Sequence, residues 1–160
     1  MKNIAEQANN IINSQAFHSL QSVKNNLSDS SSGFYWIYTK LKISDLKLST
    51  SPTNQAHVKI NDLATIHENL PNVIPESNLD YWCIYNGKGK NLKNRINAEF
   101  SNTSGCTGTL ALKRCFQESD FNIKFVECCS GNFNHTYQDI EAHLERVWRL
   151  SFGWPILCRA

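Results

Sequence analysis

Apolar residues recur at Ile4, Ala8, Ile11 and Ile12, and again at Phe17, Leu20, Val23 and Leu27, so residues 3–27 predict one or two amphipathic helices. The polar run SDSSSG (28–33) punctuates the chain and leads into GFYWIYT, whose aromatic and β-branched residues predict a first strand. Residues 40–80 mix polar and apolar positions and are broken by Pro52, Pro71 and Pro75, with only INDLATIHENL (60–70) suggesting a short helix. That stretch reads as an insertion.

Beyond it, YWCIY (81–85) predicts a second strand, NGKGK (86–90) a turn, and NLKNRINAEF (91–100) a short helix with Leu92, Ile96 and Phe100 on one face. A further helical segment is expected over 109–117, and FNIKFVECC (121–129) alternates as a third strand would. DIEAHLERVWRL (139–150) predicts one continuous helix burying Ile140, Leu144, Val147 and Trp148, stopped by Gly153 and Pro155.

The chain's 160 residues are the usual size of one domain and enough to bury a core without disulfides or metal. No stretch approaches the roughly 18 apolar residues of a membrane span, and residues 1–17 lack the apolar region of a signal peptide, which leads us to expect a cytoplasmic protein. Six cysteines without CxxC spacing point to reduced, mostly buried thiols rather than a zinc site. Three of the four tryptophans, Trp36, Trp82 and Trp148, fall on predicted strands or the apolar helix stripe and are expected in the core.

Charge is uneven. Residues 1–80 carry 6 Lys and Arg against 7 Asp and Glu, and residues 81–160 carry 10 against 7. Lys88, Lys90, Lys93 and Arg95 fall within eight residues with no acid among them, just after a strand and around Gly87 and Gly89. Glycine lets backbone approach a ligand closely, lysine offers a point charge, and arginine offers a planar fork matched to phosphate oxygens. By itself such a run is as compatible with a solvated helix face as with a phosphate site.

The segment YNGKGKNLKNRINAEF resembles the second half of the GIY-YIG nuclease signature in the incision domains of excision-repair nucleases, Tyr-x-Gly-Lys-x-Lys-Asn-Leu-Lys-x-Arg. Tyr85, Gly87, Lys88, Lys90, Asn91, Leu92, Lys93 and Arg95 match it. GFY (33–35) stands where that family has Gly-Ile-Tyr, and the likeness spans roughly residues 33–39 and 81–158. It implies an α/β (α+β) domain with a small, largely antiparallel three-stranded sheet flanked by helices. An N-terminal helical extension would occupy residues 1–32, and a nuclease domain residues 33–160 with its insertion at about 40–80.

The resemblance further implies a metal-dependent endonuclease hydrolysing DNA phosphodiester bonds, with Mg²⁺ or Mn²⁺ as cofactor and double-stranded DNA as partner. A type II restriction enzyme is the first expectation; a nuclease toxin, a repair-type nuclease and a catalytically silent nucleic-acid-binding module are the alternatives, and a homodimer is left open. Tyr35 and Tyr85 would be the motif tyrosines, with Tyr35 favoured to take the water proton. Lys88 and Arg95 would flank the phenols and stabilise charge on the phosphoryl group, Lys90 and Lys93 would contact nucleic acid, and Glu145 would be the metal ligand. Glu141, about 40° away on the helix, is the competing carboxylate. AHLERVW, which resembles the family's Ala-x-Leu-Glu-x-x-Leu, favours Glu145.

Three departures accompany the match. Glu99 stands four residues after Arg95, where the family often has His or Tyr, with His135 and His143 as substitutes from elsewhere. Pro155 is followed by Ile156, Leu157 and Cys158 rather than by the family's closing asparagine. The two motif tyrosines are 50 positions apart, which makes residues 40–80 an insertion.

Overall fold

The computed structural model describes residues 1–159 and has a three-stranded antiparallel sheet at its centre. Strand β1 (Gly33–Thr39) lies between β2 (Trp82–Gly89) and β3 (Phe121–Glu127). Seven helices surround it: α1 (Lys2–Ser14), α2 (Leu20–Asn26), α3 (Ile43–Lys47), α4 (Ile60–His67), α5 (Leu92–Phe100), α6 (Tyr137–Ile140) and α7 (Leu144–Phe152). The α+β class, the antiparallel sheet and the helical N-terminus are as the sequence predicts. Among the described residues no helix is long and apolar enough to cross a membrane.

Six of the seven residues of β1 are buried, because both faces of the sheet are covered. Tyr35 and Ile37 point to one face, where Ile84, Leu92, Ile96, Phe100, Ile123 and Leu157 complete the larger core. Phe34 and Trp36 point to the other, against Ala5, Ala8 and Ile12 of α1 and Leu144 and Trp148 of α7. Helix α1 is therefore part of the core rather than an appendage, and small Ala5 and Ala8 let it approach closely. The 40–80 segment also contributes: Leu46, Val58, Ile60 and Ala64 join the larger core. Trp36, Trp82 and Trp148 are buried as expected.

Four local expectations are corrected. The NGKGK segment is not a turn, since β2 runs through Gly89 and pairs Gly87 with Tyr35 and Gly89 with Gly33. Its glycines make room for side chains: a Cβ on Gly87 would lie 2.3 Å from the Tyr35 hydroxyl, and one on Gly89 would lie 2.8 Å from Arg95 Cβ. Residues 109–117 contain only a 3₁₀ turn at Leu112–Arg114. Ala111 sits in the left-handed region at φ 49°, and the Leu110 amide is bonded to the Glu99 carboxylate instead of a helical carbonyl.

The continuous helix expected over 139–150 is broken between α6 and α7. At the break the His143 amide bonds to Ile140 O at 3.2 Å, a three-residue step, and the Glu141 carbonyl accepts from Lys88 Nζ at 2.5 Å. Finally, of the six thiols only Cys83, Cys128 and Cys158 are buried; all six are free.

Candidate functional site

The motif residues meet where the end of β2 passes between α5 and α7. Asn91 begins α5 by accepting the Asn94 amide at 3.0 Å on its side-chain oxygen, so the helix starts two residues after the strand ends. This tight passage carries Arg95 back alongside β2. On the opposite side of the sheet, Asn86 and Lys88 face α7, whose first turn presents Glu145.

Glu145 is held by two cations, Lys88 Nζ at 3.5 Å from one carboxylate oxygen and Arg149 at 3.4 Å from the other. Arg149 also donates through Nε to Asn86 Oδ1 at 2.7 Å, anchoring α7 to β2. Burial raises the pKa of Glu145, with Arg149 and then Lys88 pulling the other way. Of the two competing glutamates, Glu145 is the one at this junction, whereas Glu141 contributes only its backbone carbonyl to Lys88.

A second cluster lies behind the first. The Tyr35 hydroxyl donates to Glu99 Oε1 at 2.5 Å, the Leu110 amide donates to Glu99 Oε2 at 2.7 Å, and Arg95 Nε stands 3.5 Å from Oε1. Glu99 is fully buried, and burial pushes its carboxyl up to about 7 against the opposing pull of these three donors. The awkward carboxylate at the family's His or Tyr position is thus the hub of a satisfied network. Its two bonds tie β1, α5 and the segment after α5 together.

A cleft of about 230 Å³ opens beside these groups, lined by Tyr85, Arg95, Gly108, Arg149 and Cys158 among others. The Tyr85 hydroxyl donates to Gly108 O at 3.3 Å, and its ring lies 6.2 Å from that of Tyr35. Tyr35 itself is fully buried and does not line the cleft. Of the two motif tyrosines, Tyr85 is the one at the cleft, and Tyr35, favoured from the resemblance, lies behind it.

The expectation that Lys88 and Arg95 would favour phenolate is corrected as well. Burial first, and the Glu99 carboxylate second, hold both phenols well above their ordinary range, and Lys88 is engaged with Glu145 and the Glu141 carbonyl.

The structure therefore brings Tyr85, Lys88, Arg95 and Glu145 to one junction, with Tyr35 directly behind. It does not bring Lys93, which pairs with Asp29 at 3.0 Å, and it leaves Lys90 exposed at the end of β2. His135 bonds to Gln7 on α1, and His143 is exposed just before α7, so neither replaces the missing family residue at Glu99.

The motifs read from the sequence single out neither Arg149 nor Asn86. The i, i+4 spacing of Glu145 and Arg149 is the available signal. Cys158, which follows Pro155 where the family's asparagine is absent, packs its thiol 3.3 Å from Asn86 Oδ1 and so closes the site from the C-terminal side.

Among the described residues no group of three or more His, Cys, Asp or Glu side chains is placed to share a metal ion. A metal here would therefore have Glu145 as its one protein carboxylate. Such an ion would replace the two cations at Glu145, whose contacts at 3.5 and 3.4 Å are longer than direct hydrogen bonds. No family model matches the chain, and neither a curated protein nor a solved structure shows significant similarity to it.

Proposed function

We propose that this protein is a metal-dependent endonuclease that hydrolyses DNA phosphodiester bonds at the β2 edge. One observation carries the reading: Tyr85, Arg95 and Arg149, from a strand and two helices far apart in sequence, line one cleft, and Arg149 pairs there with Glu145 at 3.4 Å. Such hydrolysis requires a positioned water, positive charge on the phosphoryl oxygens and assistance to the leaving oxygen.

In this reading Arg95 and Arg149 bind and orient the phosphate, and the Tyr85 hydroxyl orients the attacking water. Glu145 would hold Mg²⁺ or Mn²⁺, which would supply Lewis acidity when bound. Lys88 and Arg149 balance the charge of the Glu145 carboxylate. Tyr35 and Glu99 act as positioning residues, fixing Arg95 and the segment that carries Gly108.

The test is incubation with supercoiled plasmid and Mg²⁺ or Mn²⁺ across a range of pH. The expected result is nicking by the wild type and a fall of about 10²-fold in Arg95→Ala. A second reading, a nucleic-acid-binding module without catalysis, is favoured by the closure of Glu145 between two cations. Salt-sensitive DNA binding with no nicking under any condition would select it, and absence of both binding and nicking would contradict both readings.

A further inference from the structure

On the far side of Arg149 and Cys158 lies a second concavity, of about 300 Å³, which shares those two residues with the phosphate cleft. Its other walls include Leu70, Val73, Leu150, Trp154 and His67. From the shared residues and the character of these walls we infer that this pocket receives one nucleobase of the strand whose phosphate occupies the cleft. The inference rests on the phosphodiesterase reading and specifies the part of the substrate that the neighbouring surface holds.

Three features support a base as occupant. First, the two concavities adjoin: Arg149 and Cys158 line both, and the Arg149 guanidinium carbon lies 5.4 Å from the Trp154 ring centroid. A phosphate at the Arg149 cleft therefore leaves its base within reach of a flat indole. Second, the volume is at the small end for ligand pockets, suited to one ring system rather than a larger molecule. Third, the walls are mixed as a base requires, with apolar Leu70, Val73 and Leu150 and a hydrogen-bonding imidazole. His67 Nδ1 donates to Ile156 O at 2.7 Å, which leaves the other ring nitrogen an acceptor in the neutral ring.

The pocket is also preformed. The Trp154 amide donates to Asn72 O at 2.8 Å, and the Ile74 amide returns to Trp154 O at 2.9 Å. The indole N–H is committed to Cys158 O at 3.0 Å, so stacking and edge contact are what Trp154 can offer. Half the pocket thus comes from the 40–80 insertion, which acquires a role in holding substrate. Leu70 and Leu150 are 50% and 69% exposed, so the pocket offers a base apolar surface to cover.

The experiment compares binding of oligodeoxythymidylate with that of a length-matched oligomer of abasic sugar phosphates, by fluorescence anisotropy with Ca²⁺ present. The full chain is used as wild type, as Trp154→Ala and as the Leu70→Ala/Leu150→Ala double variant. The wild type is expected to bind the base-bearing strand about tenfold more tightly than the abasic one. Both variants should lose that preference while retaining abasic-strand affinity. The double variant changes only exposed side chains, so it decides the matter if Trp154→Ala does not fold.

Equal binding of the two strands by the wild type would overturn the base pocket and leave the phosphate reading standing. A preference that survives in the double variant would also overturn it. Failure to bind either strand would overturn both.

Discussion

Replacing Glu99 with glutamine removes a carboxylate that the fold buries completely and whose ionisation is opposed by that burial. Its carboxyl is raised from 4.5 to about 7. Between those values the folded chain binds a proton that the unfolded chain has already released, so stability falls as pH rises through the window. At about 1.4 kcal/mol for each pH unit between the two values, the loss attributable to this group is on the order of 3 kcal/mol, complete above the folded value and absent below the unfolded one. Glutamine cannot titrate. Its Oε1 can accept from the Leu110 amide while its N–H₂ donates to the Tyr35 hydroxyl oxygen, which leaves the Tyr35 proton without its acceptor at a cost of about 1–3 kcal/mol that does not vary with pH.

The stability gap between wild type and Glu99→Gln should therefore shift by about 3 kcal/mol in favour of the variant between roughly pH 4.5 and pH 8. Urea unfolding followed by tryptophan fluorescence at a series of pH values measures it, and taking the difference cancels the other carboxylates. A gap constant across that range would refute the reasoning, because it would mean that Glu99 titrates alike in the folded and unfolded chains.

Tyr35→Phe removes one of the two hydrogen bonds to Glu99 and should lower stability by about 1–3 kcal/mol above neutral pH, measured by the same unfolding. Below the Glu99 titration the deficit should shrink, because the phenol then no longer serves a charged partner. Gly87→Ala places a Cβ 2.3 Å from the Tyr35 hydroxyl and 2.5 Å from its Cζ, and should cost about 2 kcal/mol or more in thermal or urea denaturation. A melting temperature unchanged from wild type would show that β2 and β1 are not in this register.

Much of the framework was legible because it depends on local periodicity. The apolar stripe of residues 4–12, the aromatic run of β1 and the i, i+4 faces of α5 each specify one element, and all three formed. The misread segments depend on contacts across the fold. Gly87 and Gly89 read as a turn because nothing nearby in sequence reveals that Tyr35 and Arg95 occupy the space of their missing side chains. The break after α6 follows from Lys88 taking the Glu141 carbonyl, a contact spanning 53 positions.

The candidate site was divided in the same way. The positions of Tyr85, Lys88 and Arg95 followed from one motif, and the choice of Glu145 over Glu141 from the likeness of AHLERVW to another. The burial of Tyr35 and the placing of Tyr85 at the cleft did not follow. Both faces of β1 are covered, so alternation along GFYWIYT carries no sign that Tyr35 is sealed behind Glu99 while Tyr85 reaches the cleft. Glu99 was recognisable as an i, i+4 partner of Arg95, but its burial and its bond to Tyr35, 64 positions away, were not.

The most direct measurement of the central claim is the rate of plasmid nicking by wild type, Glu145→Ala and Glu141→Ala, run side by side with Mg²⁺ or Mn²⁺. Glu145 faces the junction of Lys88 and Arg149, whereas Glu141 lends it only a backbone carbonyl. The rate should therefore fall by about 10²-fold or more in the first variant and stay within a few fold of wild type in the second. Loss of nicking in Glu141→Ala with retention in Glu145→Ala would contradict the assignment of the site.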